Sequence, residues 1–194
     1  MQQRLYPPPG PQSIGEVLDS VFRIFRASVV KCLAFGIAAV VVNEIPAFYA
    51  LTAGKGRGAA ALDPVWWALY VLATILSLVI WSALLLRIRA IATGAPTSAR
   101  AEITAILARF AGLVGTMMLV VLVVGASLLP FIGTLAAGGR LAAWPMIAVA
   151  IYVFVPTYFT GPAFVLDGLG PLAAVRRGFH LVHGNWWRTF AVFA

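Results

Sequence analysis

Charged residues and cysteine are scarce in this chain. Asp, Glu, Lys and Arg make up 10% of its 194 residues, Asp and Glu together number 6, and Cys32 is the single cysteine. One cysteine excludes an intrachain disulfide and a Cys-x-x-Cys metal or redox motif. The nucleophile elbow, the phosphate-binding loop and the His-Glu-x-x-His motif are missing as well. We therefore expect no catalytic residues, no metal and no cofactor, and we do not expect an enzyme.

Hydrophobic residues, by contrast, are abundant. They make up 62% of the chain, and the mean hydropathy is +0.97. A soluble domain of this length cannot bury so much apolar surface in one core. Four apolar stretches, at about residues 28–53, 64–86, 110–135 and 141–165, each exceed the roughly 20 residues that a helix needs to cross a bilayer. The sequence therefore predicts an all-α, polytopic membrane helix bundle with four complete transmembrane helices.

Three amphipathic segments, at about residues 13–26, 98–109 and 171–183, accompany the apolar stretches. In the first, Ser13 and Glu16 have the spacing of an N-terminal capping box. Each segment places charged residues opposite an apolar face, as helices that lie flat in the membrane interface do. We expect three interfacial helices. For the first segment, packing of the helix against the cytoplasmic ends of the other helices is the alternative.

The second amphipathic segment is predicted to have two distinct faces. The apolar face has Ile103, Ile106, Leu107 and Phe110, and the polar face has Arg100, Glu102 and Arg109. These sets follow from the spacing of three to four residues that brings side chains to one side of a helix.

The ends of the chain differ in character. Residues 1–12 are rich in proline and are expected to form a disordered leader, so that the membrane domain covers residues 13–194. Residues 185–194 turn apolar again and predict the start of a fifth transmembrane helix. The order of amphipathic helix, Arg near an aromatic residue, and apolar helix occurs three times. We therefore expect the chain to be a fragment of a six-helix protein, truncated within its fifth helix.

The basic residues, which give a net charge of +8, cluster at the ends of the apolar runs and form no Lys/Arg tract. This distribution is typical of membrane topology signals and argues against nucleic-acid binding. Of the 14 Lys and Arg residues, eleven fall on the N-terminal side of the predicted membrane: Arg4, Arg23, Arg26, Lys31, Arg87, Arg89, Arg100, Arg109, Arg176, Arg177 and Arg188. The opposite side has Lys55, Arg57 and Arg140. This excess predicts a cytoplasmic N-terminus.

Asn43 and Glu44 form a candidate intramembrane polar site. A carboxylate within a spanning segment is costly and is often functional. Pro46 follows the pair and disfavours helical geometry at the preceding residue, which is typical of a broken helix that lines a polar cavity. The alternative is that Glu44 lies near the far interface or pairs with an Arg of another helix.

The candidate interface residues combine basic and aromatic side chains, which favour lipid headgroups. They are Arg23, Arg26, Arg100, Arg109, Arg176, Arg177, His180, Trp186, Trp187 and Arg188. His180 and His183 could also hold a metal, but a third ligand would be needed and only Asp167 is near in sequence. A basic helix face that meets anionic headgroups is the interpretation that we prefer.

The segment from Asp167 to Arg188 carries a family resemblance. It reads, in order, an acidic residue with Gly168, Ala-x-x-Arg, Leu-Val-x-Gly and Trp-x-Arg. This pattern resembles bacterial proteins related to the membrane domain of glycerophosphoryl diester phosphodiesterases, and YciC-like membrane proteins, in which Ser is expected at the position of Gly178. Residues 14–26 are similar to the usual start of these proteins. The resemblance implies a six-helix membrane domain, sometimes fused to a soluble phosphodiesterase domain, which is absent here.

From these observations we expect an integral protein of the bacterial plasma (inner) membrane. The expected function is a non-catalytic scaffold or anchor whose cytoplasmic-side amphipathic helices contact anionic lipid headgroups. A membrane-protein partner or a second copy of the chain is a further expected contact. The alternative function is a transporter or channel-like protein with a polar path near Asn43 and Glu44. A membrane-embedded enzyme acting on lipids would need a nucleophile or a metal that the sequence does not offer.

Overall fold

A computed structural model describes residues 13–54 and 62–193 of the chain. All regular structure in these residues is helical, in the order α1 (Ile14–Thr52), α2 (Pro64–Thr93), α3 (Ala99–Leu107), α4 (Phe110–Ala136), α5 (Arg140–Tyr158), α6 (Thr160–Asp167), α7 (Pro171–Val182) and α8 (Trp186–Phe193). Three sequence predictions concern residues outside the described ones: the leader at residues 1–12, the basic loop residues Lys55 and Arg57, and the end of the fifth helix at Ala194.

Four helices in the described part of the chain are long and apolar enough to cross a bilayer. By length and composition these are Gly15–Thr52, Pro64–Thr93, Phe110–Ala136 and Trp144–Asp167, the last of which takes in both α5 and α6. The prediction of an all-α chain with four such helices is therefore confirmed. The described residues divide after Ala108 into two compact units, unit 1 up to Ala108 and unit 2 from Arg109 onwards.

In unit 1, α1 is one uninterrupted helix of 39 residues. A separate interfacial helix at residues 13–26 was expected, so the predicted break near Ala27 is wrong. The capping box is confirmed, because Ser13 N donates to Glu16 Oε2 at 2.7 Å and Glu16 N donates to Ser13 Oγ at 3.4 Å. The helix continues through Ala27 because alanine has the highest helix propensity of all residues and no Gly or Pro lies nearby to end the helix. At this length α1 measures about 58 Å, nearly twice the hydrocarbon core of a bilayer.

The helices α1 and α2 pack as an antiparallel hairpin. Tyr49 donates its hydroxyl to Asp63 Oδ2 at 2.8 Å near the turn. At the other end, Arg87 donates through a terminal nitrogen to the carbonyl of Lys31 at 3.1 Å. Since Arg87 lies near the end of α2, these contacts pair the whole of α2 with the second half of α1. The helix α3 packs against α2.

In unit 2, α4 and α5 form a second helical hairpin, which α6 continues after a break at Phe159. The single helix expected at residues 141–165 is therefore divided. Pro162 explains the position of the break, because its ring clashes with the carbonyl four residues earlier, at Tyr158, the last residue of α5. The core of unit 2 gathers where α4 begins and where α6 and α7 lie, and it includes Leu113, Thr116, Phe164, Ala174 and Val182.

The helix α7 folds back against α4, α5 and α6. Gly115 of α4 lies against the ring of Pro171, the first residue of α7. Near its middle α7 approaches α5 so closely that a Cβ on Gly178 would be 2.6 Å from the carbonyl oxygen of Pro156. No side chain fits there. Glycine at this position thus permits the close helix packing, where the resembling family was expected to carry Ser.

Candidate functional site

The exposed face of α7 carries a stripe of basic and imidazole side chains. Arg176, His180 and His183 are four and three residues apart, so they lie along one side of the helix. All three are exposed. Among the described residues Arg176 has no ion-pair or hydrogen-bond partner. This stripe is available to a ligand, whereas the opposite side of α7 is buried through Ala174, Val175, Gly178 and Val182.

Arg177, next to the stripe, is used differently. Its Nε lies 3.5 Å from Asp167 Oδ2, and both side chains are 47% exposed. Such an exposed ion pair contributes about 0–1 kcal/mol. The pair links the start of α7 to the end of α6, and it gives Asp167 a partner other than the two histidines. No group of three or more side chains that could hold a metal occurs within the described residues.

A groove of about 310 Å³ opens beside the two histidines. His180, His183, Phe179 and Val182 line one side of it, and Tyr152, Pro156 and Trp186 line the other. The imidazole N–H groups of His180 and His183 and the hydroxyl of Tyr152 can donate hydrogen bonds to a ligand in this groove. We refer to it as the histidine groove.

A second groove, of about 410 Å³, lies one to two helical turns further towards the start of α5. Its lining is apolar and aromatic and consists of Ala148, Ile151, Tyr152, Trp186, Trp187 and Phe190. We refer to it as the aromatic groove. Both volumes fall within the range of about 300–1,000 Å³ that is typical of small-molecule sites.

Tyr152 and Trp186 belong to both grooves and form a wall that the grooves share. Their rings are stacked, with centroids 5.5 Å apart, and Trp186 stacks on Phe190 at 5.1 Å. The indole N–H of Trp186 donates to the carbonyl of Tyr152 at 3.2 Å. These contacts fix Trp186 against α5. Trp187, in contrast, is 77% exposed.

Arg109 is predicted to be an interface residue, but its guanidinium contacts other residues of unit 2. It donates to the carbonyl of Leu169 at 2.9 Å and lies over the ring of Phe164, 4.5 Å from the centroid. These contacts hold the loop before α7 against the start of α4.

Arg188, another predicted interface residue, is exposed and also has an interaction partner.

In unit 1 the least expected feature is the burial of Glu102. Its side chain is 9% exposed, and its Oε2 lies 2.9 Å from both Nε and a terminal nitrogen of Arg87. The predicted polar face of residues 98–109 is therefore wrong at this position. Helical spacing places Glu102 with Ile106, and both are buried. The one sequence feature that could have indicated this ion pair is the charge of Arg87 at the end of an apolar run.

Arg87 holds three helices of unit 1 together. Besides Glu102 of α3, it contacts the carbonyl of Lys31 in α1, and its guanidinium lies 4.7 Å from the centre of the Phe35 ring. The second carboxylate oxygen of Glu102 is buried, and it has no hydrogen-bond partner within the described part of the chain.

The candidate pair Asn43 and Glu44 is divided by the structure. Asn43 donates to the carbonyl of Ala39 at 2.8 Å and to Ser77 Oγ at 2.9 Å, so its amide links α1 to α2. Glu44 is exposed on the surface of α1 and lines neither of the two grooves. The structure thus gives the amide of Asn43 a role in packing α1 against α2, whereas the side chain of Glu44 is exposed.

The other predicted interface residues lie exposed in unit 1. Arg23 pairs with Asp19 at 3.3 Å, one helical turn away, with the two side chains 62% and 70% exposed. Arg26 and Arg100 are exposed as well. Contact of these residues with lipid headgroups stays a prediction.

No protein-family model, curated protein or solved structure matches this chain.

Proposed function

We propose that this chain is an integral membrane protein that acts as a non-catalytic scaffold, and that the exposed face of α7 binds anionic lipid headgroups. The observation that carries the proposal is the division of α7 into two faces. Its buried face packs within unit 2, while Arg176, Arg177 and His180 are exposed on the other face. Basic residues near an anionic membrane surface each contribute about 1 kcal/mol of attraction.

The dimensions of unit 2 support a position of α7 at the membrane boundary. The helix α5 begins at Arg140. A hydrocarbon layer of about 30 Å that starts there would end about 20 residues later, near Thr160. This is where α5 gives way to α6 and where α7 packs. Large apolar side chains are exposed along the intervening hairpin, as expected of a lipid-facing surface; they include Met118, Val121, Leu122, Leu129, Ile132 and Phe154.

The distribution of Lys and Arg supports a cytoplasmic position of α7, and the resemblance of residues 167–188 to bacterial membrane proteins supports a location in the bacterial plasma membrane. Transport has less support than a scaffold role, because Glu44 is exposed and the amide of Asn43 is engaged by Ser77. We therefore do not retain a polar path along α1.

Lipid retention tests the proposal. The chain would be placed in nanodiscs of phosphatidylcholine and phosphatidylglycerol and then released for native mass spectrometry. We expect retained phosphatidylglycerol to exceed its share in the nanodisc. In R176Q/R177Q, retention should fall at least about fivefold, while R176K/R177K, the matched control, should keep it. Equal retention of both lipids by the unmodified chain would refute the proposal, as would unchanged retention in R176Q/R177Q.

A further inference from the structure

We propose that the histidine groove and the aromatic groove together form one binding site for a single anionic phospholipid molecule. The phosphate would lie at His180 and His183, and the first part of an acyl chain would follow the aromatic groove. This inference rests on the proposed function for the class of ligand. It adds a defined site, a stoichiometry and an acyl-chain contact that surface attraction alone does not require.

The chemistry of the two grooves matches the two parts of a phospholipid. One end offers two imidazole side chains, with Arg176 one turn away on the same stripe, and these groups attract and hydrogen-bond a phosphate. The other end offers Ile151, Trp187 and Phe190, which contact methylene groups. Because Tyr152 and Trp186 line both grooves, a ligand can pass from one to the other along a continuous wall.

The direction of the site agrees with the membrane placement argued above. Pro156, at the histidine groove, lies about four residues before the expected edge of the hydrocarbon layer. Ala148, in the aromatic groove, lies about 12 Å nearer to the start of α5 and thus deeper in that layer. A lipid whose headgroup lies at the boundary would therefore extend its chain along the aromatic groove in the direction that the bilayer requires.

The fixed position of Trp186 distinguishes this site from a general lipid-facing surface. Its ring stacks on the rings of Tyr152 and Phe190, and its N–H donates to the carbonyl of Tyr152 in α5. A wall that is rigid before binding reduces the ordering that a ligand would otherwise impose. Val121 and Leu122, on the lipid-facing surface of α4, line neither of the two grooves.

Photocrosslinking maps the site without any substitution. Phosphatidylglycerol with a diazirine in its acyl chain would be incorporated into nanodiscs with the unmodified chain, irradiated, and located by peptide mass spectrometry. We expect crosslinks concentrated at residues 148–152 and 187–190. Crosslinks spread evenly over the exposed surfaces of α1, α2 and α4 would overturn the proposal. Equal crosslinking by the matching phosphatidylcholine probe would overturn its anionic selectivity.

Paired substitutions provide the second measurement. I151W would fill the aromatic groove, whereas V149W places the same bulk on an exposed residue of α5 outside it. We expect I151W, which occupies the space of the acyl chain, and H180Q/H183Q, which removes the two imidazoles at the phosphate, each to lower crosslinking at the groove about tenfold, while V149W leaves it unchanged. Equal effects of I151W and V149W would contradict the site.

The outcomes separate this site from the proposed function. If R176Q/R177Q reduces phosphatidylglycerol retention but crosslinks do not favour the grooves, surface binding stands and the defined site is refuted. If the unmodified chain retains no excess phosphatidylglycerol, both proposals fail.

Discussion

Glu102 Oε2 accepts a hydrogen bond of 2.9 Å from Arg87 Nε and forms an ion pair with a terminal nitrogen of Arg87, also at 2.9 Å, and the two side chains are 9% and 14% exposed. The contact joins the short helix α3 to the end of α2. Through the bond from Arg87 to the carbonyl of Lys31, it also reaches α1. The pair is thus the polar centre of unit 1.

Breaking this pair should destabilise unit 1 strongly. In E102M the buried guanidinium of Arg87 loses its partner, and we expect a loss of about 3–5 kcal/mol in the free energy of unfolding. R87M/E102M should be more stable than E102M, since no buried charge is left unpaired. Unfolding in detergent micelles, followed by circular dichroism, measures both. R100Q, at an exposed charge of the same helix, should change stability by less than about 0.5 kcal/mol. An E102M loss no larger than that of R100Q would contradict the prediction.

Gly178 should not tolerate any side chain. In G178A the added Cβ would meet the carbonyl oxygen of Pro156 at 2.6 Å, so α7 must move away from α5. We expect a loss of about 1–3 kcal/mol, as is usual for overpacking. Gly125 of α4 provides the control, because a Cβ there would meet nothing within 4 Å. G125A should be neutral or stabilising by up to about 1 kcal/mol. The measurement is thermal unfolding of the two variants in the same detergent, and similar behaviour of both would refute the packing argument.

Asn43 and Glu44 should differ in their effects although they are adjacent. N43L removes the hydrogen bond between α1 and α2, and we expect a loss of about 0.6 kcal/mol, the average for such bonds between membrane helices. E44Q changes an exposed side chain and should alter stability by less than about 0.5 kcal/mol. Reversible unfolding in mixed micelles measures both variants together with S77A, which should reproduce N43L. A large loss in E44Q would show that Glu44 has a partner that its exposure does not reveal.

The length of α1 can be measured directly. Spin labels on Leu18 and Val41, in a C32S background, should lie about 35 Å apart along a straight helix. A right-angled bend at Ala27, which an interfacial helix would need, reduces this separation to about 25 Å. Double electron–electron resonance in nanodiscs distinguishes the two values. The shorter distance would restore the separate interfacial helix that the sequence suggests.

The elements that the sequence predicts well are those that depend on local composition. The four long apolar helices and the capping box of Ser13 and Glu16 follow from residue order alone. The continuity of α1 does not, because amphipathic and apolar segments can join without a break when no Gly or Pro separates them.

The site depends on contacts between residues distant in sequence. A prediction from helical periodicity assigns every charged residue to the solvent-facing side, and Glu102 was therefore placed on the wrong face. Its burial is explained by its ion pair with Arg87, which lies in a different helix. Likewise Tyr152 and Trp186 are separated by 34 residues. Their shared wall arises when α7 folds back along α5. Gly178 permits this packing, but a glycine in the sequence does not by itself predict it.

Cysteine accessibility in intact cells tests the central claim, that both hairpins cross the membrane with the amphipathic helices on the cytoplasmic side. In a C32S background, single cysteines would replace Ala53, Thr97, Ala137 and Asn185, and each variant would be treated with a membrane-impermeant maleimide. We expect A53C and A137C to be labelled in intact cells, whereas T97C and N185C should be labelled only after permeabilisation. The same accessibility at all four positions would contradict it.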